Sequence, residues 1–263
     1  MNLMNCIYRR HSVRKYKNEK LSTNTLNEIE ALANSSLKLY RDISMYAHLV
    51  KDGMKIQKIS KGIIGSYGKI VAPHYIVITS EEKEGYLENV GFALERLVLQ
   101  LTGMNIGSCW IGGFIKKDLL NDIINIPQNQ IPVIVISFGY PETEDALTNI
   151  ISSDYKRKAI KGFCSGDFND EWIGIMKAVG RAPSAMNSQP WRFFKSRDAV
   201  DLYTVKRTII TRHLEMMNRI DAGIALCHMH AALEDRNIEF KILKLADKDR
   251  KDLNYITSIS LDY

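Results

Sequence analysis

"APSAMNSQPWRFF" (residues 182–194) decides how the chain is read. It follows "DEWIGIMKAVG", where Trp172, Met176 and Val179 recur at helical spacing, and Pro183 and Pro190 stop any helix from continuing. The stretch then offers a serine hydroxyl (Ser184), an asparagine amide (Asn187) and exposed backbone. Asparagine donates and accepts at once, so it can pair with a heterocycle that carries both functions. Trp191 reads equally well as a core anchor. A helix followed by a small-residue turn occurs once before, in "TLNEIEALANSS" (25–36), but the Asn-x-Gln-Pro-Trp run is missing there.

Working outward, the whole order of elements recurs. "YKRKAIKGF" (155–163) echoes "YRRHSVRKY" (8–16), 147 residues earlier. "VDLYTVK" takes the place of the apolar strand "PHYIVIT" (73–79). "DAGIALCHMHAALEDRNIEF" (221–240) aligns, at an offset of 132, with "NVGFALERLVLQLTGMNIGS" (89–108). The latter predicts a helix with Val90, Leu94, Leu97, Val98 and Leu101 on one face and further apolar residues on the others, hence deep burial. "YITSISL" corresponds to the strand "IPVIVISFGYP" (131–141). We read residues 1–150 and 151–263 as two tandem repeats that together form one domain. At the first repeat's start, Thr25 and Glu28 fit a capping box ahead of Leu26, Ile29 and Leu32.

Two further stretches carry chemistry. In "RRHSVRKY", Arg10, Ser12 and Arg14 alternate, so an extended backbone turns two guanidiniums and a hydroxyl to one side. That suits a phosphate or an electron-rich ring edge; a solvated basic N-terminus is the plainer reading. "GMNIGSCWIGGF" (103–114) ends in Gly112 and Gly113, where the absence of Cβ atoms lets backbone approach a flat ligand. No G-x-G-x-x-G fingerprint or P-loop is present, and no serine-nucleophile elbow or acid/base carboxylate pair. The histidines give no metal site, because His228 and His230 lie two apart in a helix and diverge.

Composition sets the bounds. The chain has 263 residues, 45% of them hydrophobic, and a net charge of +6. That mild excess suits small anions; the basic residues are too scattered, and too poor in interleaved aromatics, for nucleic acid. The four cysteines form no C-x-x-C pair and fit reduced thiols in a cytoplasm. No signal peptide or membrane-length apolar run is visible.

Together, "RRHSVRKY", "GMNIGSCWIGGF", "IPQNQIPVIVISFGYP" (126–141) and "APSAMNSQPWRFF" resemble the FMN-dependent nitroreductase family. In ordinary members the Pro-Ser-x-x-Asn-x-Gln-Pro-Trp segment follows closely behind the Arg-Ser-Arg segment. Here it is displaced into the second half. Family members are two-fold dimers that bind FMN at the interface, so the resemblance implies an internally duplicated branch: a monomer acting as a pseudo-dimer, with one complete site and one degenerate site. The implied fold is α+β, a three-layer α-β-α arrangement with a mainly antiparallel sheet flanked by helices. The implied cofactor-binding residues are Arg10, His11, Ser12, Arg14, Gly112 and Gly113 from the first repeat, and Pro183, Ser184 and Asn187 from the second. Lys156, Arg157 and Lys158 are the basic residues expected to meet the phosphate. The implied activity is reduction of nitroaromatic, quinone or similar acceptors by NAD(P)H through FMN, with no catalytic side chain needed. A flavin carrier or sensor and a dehalogenase-like enzyme are the alternatives.

Overall fold

The computed structural model describes residues 2–60, 70–112, 116–147, 156–208, 211 and 214–261. The chain divides into two compact units, one of Met1–Tyr86 with Arg96–Ile150, the other of Leu87–Glu95 with Ile151–Tyr263.

The first unit is built on a four-stranded antiparallel sheet, ordered β1 (Met45–Val50), β2 (His74–Ser80), β4 (Ile131–Gly139), β3 (Gly107–Ile111). Every residue of β2 is buried, as a continuous apolar run demands. Pro132 of β4, which has no N–H for the ladder, sits where the β2–β4 register shifts between Ile78 and Thr79. Helices α1 (Leu3–Arg9), α2 (Thr23–Ser35), α3 (Gly53–Ser60) and α5 (Lys117–Asn121) accompany it. The start of α2 corrects the expected cap: Ser22, not Thr25, is the N-cap, and its hydroxyl accepts from Thr25 N–H at 3.1 Å. Ser22, Thr23, Asn24 and Thr25 are all competent caps, and only the backbone chooses among them. Leu26, Ile29 and Ala33 of α2 then turn inward.

The second unit carries a five-stranded sheet, ordered β5 (Cys164–Gly166), β6 (Trp191–Lys195), β7 (Ala199–Val205), β9 (Leu253–Leu261), β8 (Phe240–Leu243). The short β5 runs parallel to β6 and all other pairs are antiparallel. Apart from β5, its strand order repeats that of the first sheet position for position. Asn169 caps α6 (Asp170–Val179), on which Trp172, Met176 and Val179 are buried as expected. The long α7 (Glu215–Asp235) is buried almost all round, including the polar Asn218, Asp221 and His228.

Helix α4 (Tyr86–Gly103) gives its residues 87–95 to the second unit. There it crosses α7 at backbone contact. A Cβ on Gly91 would lie 2.1 Å from the Ile220 carbonyl oxygen, and a Cβ on Gly223 2.1 Å from that of Glu88. The contact is reciprocal: adding 132 to Gly91 and Glu88 gives Gly223 and Ile220. Self-complementarity of this kind belongs to a two-fold interface, where residue i meets j and j meets i. Beside the crossing, Arg219 holds Glu88 through two bonds, Nε at 2.7 Å and an Nη at 3.0 Å. Farther along, the fully buried His228 places Nε2 2.9 Å from Glu95 Oε1 and Nδ1 3.0 Å from the Ala178 carbonyl. Among the described residues no helix is long and apolar enough to cross a membrane.

Candidate functional site

In the first unit the Arg-Ser-Arg arm leaves the end of α1. Arg10 is the C-cap of that helix, its N–H donating to the Cys6 carbonyl, and it is only 5% exposed. Ser12 then pairs in parallel with Ser108 at the start of β3, and Val13 N–H donates to the Ser108 carbonyl at 2.9 Å. Gly107 makes this approach possible: a Cβ there would lie 2.7 Å from the Val13 side chain. Tyr16 hydroxyl fastens the arm from the other end, 2.6 Å from the Val13 carbonyl and 2.9 Å from Ser137 Oγ. The arm is therefore a built element rather than a solvated basic tail. Arg14 is exposed, with one Nη 3.3 Å from the Ser12 carbonyl. Burial raises the thiol of Cys109 in β3, while the charges of Arg14 and Arg10 and a hydrogen bond with Ser12 pull the other way. His11 is half-buried and Gly112 exposed just past β3. Gly113 lies outside the described residues.

In the second unit the turn between α6 and β6 is strained. Met186, Asn187 and Gln189 have φ of 53°, 55° and 46°, and none is glycine. Residues held there cost about 1–3 kcal/mol each and tend to gather at functional sites. Ser184 Oγ accepts from Gln189 N–H at 2.9 Å and holds the turn closed. Pro183 is buried beneath it, while Met186 at the tip is 89% exposed. The structure brings Lys156, Arg157 and Lys158 to this turn. Asn187 Nδ2 donates to the Lys156 carbonyl at 2.8 Å, and its Oδ1 accepts from Arg157 at 3.0 Å. Arg157 also donates to the carbonyls of Ala182 and Arg181. Lys158 Nζ donates to the carbonyls of Ser188 and Gln189, and its backbone N–H to Gln189 Oε1. The Asn187 amide thus helps fasten the basic segment to the turn.

Three residues at this site were not legible in the sequence. Arg192 donates to the same Gln189 carbonyl that receives Lys158. Arg207 donates to Asn218 Oδ1 at 2.7 Å. Burial, and then the charges of Arg192 and Arg207, hold the Lys158 ammonium below its ordinary value. Asp221 of α7 accepts Ala185 N–H on both carboxyl oxygens, and burial raises its pKa well above the ordinary carboxylate range, against the pull of that bond and of Arg207. Arg192 and Arg207 stand at strand ends without a spacing that marks them; Asp221 hides in an otherwise apolar helix.

The donor set of this turn fits an anionic group. Lys158, Arg192 and Arg207 gather at it, and Arg207 Nε, Ser188 Oγ and Trp191 Nε1 are buried with no hydrogen-bond partner among the described residues. An anion or water that accepted from them would remove a cost of about 1–3 kcal/mol each.

Antiparallel sheets flanked by helices match the fold of a solved nitroreductase structure. The family described as "Putative TM nitroreductase" matches residues 2–233, and the chain belongs to it. A crystal structure of a putative nitroreductase from Thermotoga maritima superposes with a TM-score of 0.66 at 23% identity, covering 99% of this chain and 94% of that one. A "Putative NADH dehydrogenase/NAD(P)H nitroreductase" of Archaeoglobus fulgidus is 24% identical over 149 residues, 52% of this chain and 84% of that protein. A protein of the same description from Methanothermobacter thermautotrophicus is 23% identical over 164 residues, 59% of this chain and 85% of its own length.

Proposed function

We propose that the chain is an FMN-dependent oxidoreductase in which NAD(P)H is the reductant and a nitroaromatic, quinone or similar electrophile the acceptor. We further propose that its two units are fused copies of one ancestral subunit that together hold a single flavin. The observation that carries this reading is asymmetry. Among the described residues, the arm with Arg10, Ser12 and Arg14 is found only in the first unit and the strained Pro-Ser turn only in the second. The reciprocal Gly91–Gly223 crossing supports the duplication, as does a relative most of whose length matches about half of this chain.

Bound FMN supplies the ring that takes up and passes on a hydride, so no side chain has to act as a strong acid or base. The protein's part is to bind and orient. Arg10, His11, Ser12 and Arg14 would hold the phosphate and pyrimidine edge, and Gly112 would leave its backbone open to the ring; Gly113, expected beside it, lies outside the described residues. Pro183, Ser184 and Asn187 present their turn to it. Lys156 and Lys158 neutralise the phosphate, Lys158 through the one N–H that its two carbonyl bonds leave over.

Denaturing the purified protein and chromatographing the supernatant is expected to release FMN. NAD(P)H consumption with a quinone is expected to give parallel double-reciprocal lines, because reductant and acceptor are both expected to react at one exposed flavin face and must alternate there. A protein that carries no FMN and takes up none when it is supplied overturns the reading.

A further inference from the structure

The first unit contains a cleft of about 450 Å³ from whose lining the flavin reading takes only Arg14, a size ordinary for a small-molecule site. One wall is the continuation of the arm, where Arg14, Lys15, Lys17 and Lys20 line the cleft. Backbone bonds fix this wall: Lys17 N–H donates to the Tyr140 carbonyl at 2.9 Å, Glu142 N–H to the Lys15 carbonyl at 3.1 Å, and Tyr16 pairs antiparallel with Pro141. The opposite wall is the start of α3. It is close-packed: Gly53 N–H donates to the Pro73 carbonyl at 2.9 Å, and a Cβ on Gly53 would lie 2.1 Å from the Ala72 carbonyl oxygen. The lining carboxylates are two, Asp52 and Glu142. Asp52 Oδ1 accepts Met54 N–H at 3.2 Å, and Glu142 stands 3.7 Å from Lys15. Four cations against two carboxylates leave the cleft positive. Its lining also includes apolar side chains: Met54 and Val71, 54% and 62% exposed, and Pro73.

Cations carried on a backbone-anchored wall, carboxylates able to accept from sugar hydroxyls, and exposed apolar side chains for a flat base are the complement of a nucleoside diphosphate. We propose that this cleft binds the adenosine-diphosphate half of the nicotinamide reductant, with Lys17 and Lys20 on its phosphates and Met54 and Val71 against its base. The proposal rests on the reading above, because the residue that closes one end, Arg14, is also assigned to the flavin.

The test is the double variant Lys17→Glu/Lys20→Glu in the full chain. Two charge reversals are expected to raise the KM for NAD(P)H at least about tenfold. They are expected to leave bound flavin, and the KM for N-benzyl-dihydronicotinamide, which lacks the nucleoside diphosphate, unchanged. ADP titrated calorimetrically is expected to bind the native chain and to lose at least about tenfold in the variant, whether or not flavin is present. An unchanged KM for NAD(P)H, an equal rise with both reductants, or ADP binding that ignores the substitutions overturns the proposal. Loss of flavin from the native protein with ADP binding intact overturns the flavin reading instead.

Discussion

The two helix-to-strand turns, 35–45 in the first unit and 179–191 in the second, occupy the same place in the same strand order and have opposite character. In the first, Asn34 is a clamp: its Oδ1 accepts Ala47 N–H at 3.1 Å and its Nδ2 donates to the Glu30 and Ala47 carbonyls. The turn is thereby tied to the helix behind it and the strand ahead. In the second, the residue before the aligned serine is Pro183, which can make no such clamp. The chain bulges there into three left-handed residues and is held by a basic segment, Lys156–Lys158, instead. The arms differ in the converse sense. Arg10 and Arg157 are equivalent by the 147-residue offset, yet the arm of Arg10 runs on to an exposed Arg14, whereas Arg157 is spent on the carbonyls of Arg181 and Ala182 and on Asn187. Under the proposed duplication the buried strands keep one order in both units, while the turns and arms, each partly exposed, differ in what they hold.

The crossing of α4 and α7 brings backbone against backbone at Gly91 and Gly223, and breaking it is expected to give the largest effect. Gly223→Val puts side-chain atoms where backbone already lies within 2.1 Å. Overpacking of this kind costs about 1–3 kcal/mol or more, and thermal unfolding is expected to drop by several degrees, at about 2–4 °C per kcal/mol for a chain near this size. An unshifted melting temperature would remove the reciprocal crossing from the account.

Next in size is Arg14→Ala, which removes one charge-assisted bond to an anion, worth about 1.5–3 kcal/mol. FMN affinity measured by fluorescence titration is expected to fall about tenfold or more with melting of the apoprotein unchanged. An unaltered affinity means that Arg14 merely solvates the arm.

Asn187→Ala against Ser35→Ala sharpens the comparison of the turns. The first removes two of the bonds that hold the basic segment to the strained turn and is expected to weaken FMN binding. The second alters an exposed serine whose hydroxyl reaches only the Leu32 carbonyl at 3.4 Å, and is expected to do nothing. Equal damage from both contradicts the division of labour.

The smallest effect concerns Asp221, whose folded pKa burial raises above the unfolded value. A carboxyl of this kind binds its proton more tightly when folded. It therefore costs stability as pH rises from the unfolded pKa toward the folded one, and that cost persists above it. Asp221→Asn keeps an acceptor for Ala185 N–H and carries no charge. Its melting temperature is expected to match the native one in acid and to exceed it progressively toward neutral pH. A gap that narrows as pH rises has the wrong sign.

The core of this architecture was legible because its signals are long. The all-buried run of β2, the apolar β4 and the many-sided apolar surface of α4 have one reading each. Short or locally degenerate features were not. Helix α1 is seven residues and depends on Asn2 capping Asn5 N–H, and four adjacent cap-competent residues hid the start of α2. At the candidate site, the arm and the turn announced themselves by unusual residue order. The side chains that sit under the turn did not, because Arg192, Arg207 and Asp221 come from three elements that only the fold assembles. The same holds for the Glu95–His228 pair, whose partners lie 133 positions apart.

The central claim is that one chain, with its labour divided between unlike repeats, completes one flavin site. Flavin per chain, from absorbance after reconstitution, combined with solution mass from light scattering, tests it most directly. The account predicts one FMN per 30.0 kDa monomer; two FMN per chain, or flavin bound only by a dimer, would contradict it.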